Sequence, residues 1–235
     1  MRTMRRHDLV WLDPAFPLAD FGVTEDHRAE LGDWIARGLP LVVGRQLGQP
    51  GGVRLGFTLS GTGARRRVEV RAPREAIVAH CAPFLLEALV DHAPEGWQTS
   101  LNALALALRQ AGMPSRAYGS LVTQAFTGEP CLRKDSDIDL LIDCGNHDEV
   151  LAALAILQAH GDGAPRLDGE LRMSNGWAVA WRELANALAC GGQLLAKSDD
   201  DVRLISAEDF FGVPSPPGAV HGNPGHHAAA AVLPA

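Results

Sequence analysis

Short apolar runs dominate the first third of the chain. Leu9–Leu12 (LVWL), Pro40–Gln46 (PLVVGRQ) and Val53–Gly61 (VRLGFTLSG) are punctuated by proline and glycine, the spacing of strands rather than helices. Gly61–Arg71 (GTGARRRVEVR) reads as a hairpin turn followed by an alternating strand. Helical spacing covers Glu25–Arg37, and a helical pattern with a proline interruption covers Pro73–Leu89 (PREAIVAHCAPFLLEAL), which predicts a bridge between two domains.

Further along the chain the elements lengthen. Ser100–Met113 is an amphipathic helix capped by Thr99 or Ser100, and a short strand precedes Gly119-Ser120. The acidic stretch Lys134–Asp143 (KDSDIDLLID) ends in an apolar run typical of a buried strand. A helix over His147–His160, a strand over Pro165–Met173, a helix over Trp177–Leu188 and a strand or turn over Gln193–Ser206 follow. The expected fold class is α+β: a small β-rich N-terminal domain (1–78), a helical linker (79–98), a second domain with a mixed sheet flanked by helices (99–211), and a disordered tail (212–235). There are no internal repeats.

Composition narrows the function classes. At 235 residues and 46% hydrophobic, the chain is long enough for one large or two small cores. No run approaches the roughly 20 apolar residues of a membrane span, and Met1–Arg6 leads into His7-Asp8 rather than an apolar core, so the reading is cytoplasmic with no membrane partner. Cys81, Cys131, Cys144 and Cys190 form no CxxC pair and read as reduced core residues rather than disulfides or zinc ligands. The net charge of -7 lies in the second half: residues 1–100 hold 12 Lys+Arg against 12 Asp+Glu, residues 101–235 hold 9 against 16. An acidic half does not grip a nucleic-acid backbone, but it attracts metal ions, which attract phosphates.

The chemistry concentrates in one place. On a strand, Asp137 and Asp139 share a face, and two carboxylates so close call for a cation between them. Gly119-Ser120, leading into a helix, offers backbone N–H groups and a hydroxyl as a phosphate cradle. A third carboxylate is expected on a strand that pairs with the first. Arg166–Leu171 (RLDGEL) supplies Asp168, the first choice, and Glu170 on the same face. Mg²⁺ or Mn²⁺ suits such an oxygen-rich set.

The combination Gly119-Ser120 with Ser136–Ile142 (SDIDLLI) resembles the signature of the DNA polymerase β type nucleotidyltransferase superfamily, over roughly residues 100–205. A narrower resemblance spans nearly the whole chain apart from the tail, in Arg5–Pro14 (RRHDLVWLDP), Gly52–Phe57 (GVRLGF), Tyr118–Ile142 and Leu194–Leu204 (LLAKSDDDVRL). It is to the malonate decarboxylase holo-acyl carrier protein synthases, which are phosphoribosyl-dephospho-CoA transferases. This resemblance implies that residues 99–211 are a nucleotidyltransferase-like catalytic domain with triphosphoribosyl-dephospho-CoA as donor. The acceptor would be a serine of the apo acyl carrier protein subunit of malonate decarboxylase, with pyrophosphate leaving by a two-metal in-line displacement. Asp137, Asp139 and Asp168 would bind the metals, with Asp168 also the base. Gly119, Ser120 and Lys197 would meet the phosphates. Gly169 and Glu170 depart from the family's pattern after Asp168, leaving Asp168 and Glu170 as competing third carboxylates.

Other residues carry weaker signals. Arg133 and Lys134 read as solvated or phosphate-facing, His7-Asp8 as a structural pair, and Trp177 and Trp181 as core. Arg65-Arg66-Arg67 reads as a solvated hairpin tip or a docking point for an acidic carrier, and the tail histidines as a weak metal signal. Two other functions fit the same motifs: an ATP-dependent adenylyltransferase acting on a small molecule or protein, and a module that binds without catalysis.

Overall fold

In a computed structural model the chain is described over residues 3–46, 48, 52–59, 66–161 and 163–212. Two compact units meet in sequence at Pro83 and Phe84.

The first unit is an antiparallel sheet of five strands: β1 (Leu9–Leu12), β2 (Leu41–Val43), β3 (Val53–Leu59), β4 (Arg66–Ala72) and β5 (Ile77–Cys81), in the order β4-β3-β2-β1-β5. Alternation sets its faces. Val53, Leu55 and Phe57 of β3 and Val68, Val70 and Ala72 of β4 are buried, and the residues between them are not. Helix α1 (Arg28–Ala36) covers the apolar face with Leu31, Trp34 and Ile35, whose i, i+3, i+4 spacing makes one stripe. The Trp34 and Phe57 rings lie 5.0 Å apart, and the Trp34 indole N–H donates to the Pro40 carbonyl.

The second unit is a mixed sheet of six strands: β6 (Ser115–Tyr118), β7 (Asp137–Cys144), β8 (Arg166–Met173), β9 (Ala178–Ala180), β10 (Gln193–Lys197) and β11 (Val202–Ser206), in the order β11-β10-β9-β8-β7-β6. Only β7 and β8 are parallel, and such a pair needs a long crossover. Helix α4 (His147–His160) supplies it, burying Val150, Ala153, Leu154 and Leu157. Its start is a reciprocal cap: the Asn146 side chain accepts from the Glu149 N–H, while the Glu149 carboxylate accepts from the Gly145 N–H. The other helices are α2 (Glu95–Gln110), α3 (Ser120–Thr127), α5 (Trp181–Cys190) and α6 (Ala207–Gly212). The α+β class and the mixed, helix-flanked sheet are as the patterning predicts.

Three elements differ from expectation. Pro73–Leu89 is not helical: Ile77–Cys81 is the edge strand β5, paired with β1, and only short 3-10 turns flank it. A five-residue apolar run between two prolines fits either state by periodicity, and pairing with β1 decides. Helix α2 starts at Glu95, with Pro94 as N-cap, because Trp97 extends the buried stripe of Leu101, Leu104, Ala105 and Leu108 by one turn. Trp177–Leu188 divides into β9 and α5, since Ala178–Ala180 pairs with β8. The hairpin tip around Arg65 and the tail with His221, His226 and His227 lie outside the described residues.

Candidate active site

Strand β7 carries the site because its first residues alternate. Ile138 and Leu140 are buried, so Asp137 and Asp139 share the opposite face and are half-buried. Register then selects their neighbours. Asp139 pairs with Tyr118 on β6 and with Asp168 on β8, so one row across three strands reads Tyr118, Asp139, Asp168. Two carboxylates lie side by side in that row, and Asp168 is exposed. Glu170, the competing third carboxylate, lies one row further on beside Leu141; it is buried and ion-paired to Lys197 at 3.4 Å.

Asp137 is engaged differently. Arg166, its register neighbour on β8, donates from Nε and Nη2 to the two carboxylate oxygens. That hydrogen bonding is the main reason the Asp137 carboxyl sits below its ordinary pKa; partial burial opposes the shift, and the charges of Arg166 and Arg182 add to it. The same hydrogen bond raises Arg166. Among the described residues no group of three or more His, Cys, Asp or Glu side chains is gathered to hold a metal ion. Asp139 and Asp168 are nonetheless adjacent hard-oxygen donors, the chemistry that Mg²⁺ or Mn²⁺ prefers, with Asp137 in the next row.

Gly119 closes the site on the β6 side. It caps α3 with φ 71 and ψ -137, a conformation that a side chain resists, and a Cβ there would collide with the Asp139 carboxylate. The turn therefore lies directly on Asp139. Its carbonyl accepts from the Thr123 N–H and hydroxyl, so the helix is fully formed from Ser120 onward, and the first-turn N–H groups lie beyond intrahelical reach. On β8, Gly169 has φ 140, and a Cβ would strike the Leu140 backbone; its N–H donates to Asp168 Oδ1 at 2.7 Å. Gly169 thus allows the close approach of β8 to β7, and Glu170 is held by the Lys197 ion pair.

The loop ahead of β7 is anchored by Gln124 of α3. Its carbonyl oxygen accepts from the N–H groups of Cys131 and Leu132, and its amide donates to the His92 carbonyl. Arg133 and Lys134 are exposed on that loop.

The structure therefore brings together Gly119, Ser120, Asp137, Asp139 and Asp168, and places Lys197 in an ion pair with Glu170. Sequence reasoning missed Tyr118, Gln124 and Arg166. Only Tyr118 had a local signal, one residue before the Gly-Ser pair. Asp8 is fully buried and accepts from the Arg5 N–H, a structural role, and Trp177 and Trp181 are core. All four cysteines are reduced thiols; Cys131 and Cys144 are buried, but Cys81 is half-buried and Cys190 exposed rather than core. No helix among the described residues is long and apolar enough to cross a membrane.

Comparison with known proteins adds a family. The family described as phosphoribosyl-dephospho-CoA transferase MdcG C-terminal domain matches residues 85–208, and the corresponding N-terminal domain matches residues 5–83. A phosphoribosyl-dephospho-CoA transferase of Xanthomonas campestris pv. campestris (strain 8004) is 36% identical over 209 residues, covering 88% of this chain and 96% of that protein. One from Bradyrhizobium diazoefficiens is 32% identical, covering 88% and 92%, and one from Azotobacter vinelandii is 31% identical, covering 85% and 91%. No solved structure matches the chain.

Proposed function

The chain belongs to the phosphoribosyl-dephospho-CoA transferase family, and we propose that its substrates are triphosphoribosyl-dephospho-CoA and the apo acyl carrier protein subunit of malonate decarboxylase. The observation that carries the chemistry is the row in which Asp139 and Asp168 lie side by side, with the Gly119-Ser120 helix start packed on Asp139.

The donor's phosphates lie at the start of α3, against the Ser120 hydroxyl and the first-turn N–H groups, where the helix end favours negative charge. Exposed Asp168 faces the incoming carrier and takes the proton of its serine hydroxyl. The serine oxygen bonds to the phosphorus nearest the ribose as the bond to pyrophosphate breaks, leaving a phosphodiester on the carrier. Asp137, Asp139 and Asp168 would hold divalent cations, Mg²⁺ or Mn²⁺, whose contribution is to neutralise the charge on the departing pyrophosphate. Lys197, ion-paired to Glu170, stands on the same face of the sheet as the acidic row, where its charge can also meet a donor phosphate.

Intact-mass measurement of the apo carrier after incubation with the protein, Mg²⁺ and either triphosphoribosyl-dephospho-CoA or ATP tests the reading. A gain of the phosphoribosyl-dephospho-CoA group with release of pyrophosphate is expected from the first donor alone. An adenylyl gain from ATP would transfer the reading to an adenylyltransferase. Asp139→Asn should reduce the expected gain by at least about a hundredfold while leaving the fold intact, because it removes a ligand charge at nearly constant volume. Full activity in that variant would contradict the role given to Asp139.

A further inference from the structure

Among the described residues three ion pairs cross the acidic face of the second unit's sheet, and they differ in access. In Asp143–Arg172 the arginine side chain is 8% exposed, and in Glu170–Lys197 the glutamate side chain is 7% exposed. Each is fixed by burial of one partner. In Asp137–Arg166 the arginine side chain is 69% exposed, although it holds both carboxylate oxygens. Arg166 also precedes Asp168 by two residues on the same face, and the charge of Asp168 contributes to its environment.

We propose that Arg166 is an exchangeable counter-ion: it holds Asp137 while the site has no divalent cation, and passes to the phosphates of the donor when a cation takes Asp137. The inference rests on the phosphoryl-transfer reading above and assigns a positioning and phosphate-binding role to a residue outside the acidic triad. Asp137 presents the same two oxygens to either partner, so guanidinium and divalent cation compete for them. A cation that wins also repels the guanidinium.

The released group does not travel far. It stands at the first residue of β8, on the face that bears Asp139 and Asp168, where a triphosphate over those carboxylates comes within its reach. A planar guanidinium binds two phosphate oxygens as readily as two carboxylate oxygens. Because water screens so exposed a guanidinium, the exchange is nearly balanced without donor and is driven by the donor's charge.

The test is calorimetric titration of the full chain, without donor, with Mn²⁺ and then, at saturating Mn²⁺, with inorganic pyrophosphate. Arg166→Gln should bind Mn²⁺ about tenfold more tightly and pyrophosphate about tenfold more weakly, a coupling of ordinary size. Arg166→Lys keeps the charge without the fork and should recover part of the pyrophosphate affinity. These opposite shifts are the signature, since a merely structural arginine would weaken both. Mn²⁺ binding that is lost in Asp139→Asn but unchanged or weakened in Arg166→Gln would overturn the exchange alone, as would unchanged pyrophosphate affinity. Mn²⁺ binding that is absent from wild type and Arg166→Gln, or intact in Asp139→Asn, would remove the metal reading of the site and the exchange with it.

Discussion

Gly119 shows how a single missing side chain can build a site. Its φ of 71 belongs to a region glycine enters freely, and the Asp139 carboxylate occupies the place a Cβ would take. Gly119→Ala therefore incurs backbone strain of about 1–3 kcal/mol and also displaces Asp139. Transfer should fall by at least about a hundredfold, since misplacement of a reacting group by about 1 Å has that effect, while the circular dichroism spectrum keeps its native shape. Wild-type turnover in this variant would show that the turn does not position Asp139. Asp137 makes a prediction in pH. Its folded carboxyl lies below the ordinary value, so the pair stabilises the fold above the ordinary carboxylate range, and that stability is lost as pH falls through the depressed value. In EDTA at neutral pH, Asp137→Asn should melt no more than about 3 °C below wild type, because Arg166 is largely screened. The gap should close on acidification, and a gap independent of pH would mean that the pair is not its source. Asp137 and Asp139 were legible in the sequence because carboxylates at i and i+2 before an apolar run are a local signal. Arg166 was not: it lies 29 residues from Asp137, and only register makes them neighbours.

At the scale of elements, the parallel pairing of β7 with β8 decides which acids meet. A shift of one residue would turn Asp168 to the opposite face and bring Leu167 beside Asp139. Gly169 marks the closest approach, with φ 140 and the Leu140 backbone where a Cβ would stand. Gly169→Ala should destabilise the protein by about 2 kcal/mol or more, through strain and forced separation of the strands, and lower Tm by at least about 4 °C. An unchanged melting temperature would show that the two strands can part there without consequence. The long helix α4 was legible over its full span, His147–His160, because its cap and its apolar stripe agree. β5, β9 and the start of α5 were not, since apolar runs of three to five residues carry no period and take the state their neighbours impose. The choice between Asp168 and Glu170 was open in sequence for the same reason: both face one way, and the distinction comes from β7 and from Lys197.

The whole molecule divides its charge as it divides its chain. Residues 1–83 hold 12 Lys+Arg against 9 Asp+Glu, and residues 84–235 hold 9 against 19, so the sign changes at the boundary between the units. Every candidate ligand and phosphate contact lies in the second unit, which has its own core: Leu101, Leu104 and Leu108 of α2, Ile138, Leu140 and Ile142 of β7, Leu154 and Leu157 of α4, and Trp177 are each at most 5% exposed. A sheet of six strands with its own helices buries enough apolar surface to fold alone, as domains of this size do. A fragment of residues 84–212 should therefore unfold in one cooperative transition and bind Mn²⁺ within about threefold of the full chain, since it keeps Asp137, Asp139, Asp168 and Gly119 together with the strands that carry them. Calorimetry on the fragment measures both. A fragment that folds but binds Mn²⁺ far more weakly would mean that the first unit contributes to the site; one without a cooperative transition would mean that the second core depends on the first. Either result would require both units for the chemistry assigned to the acidic row.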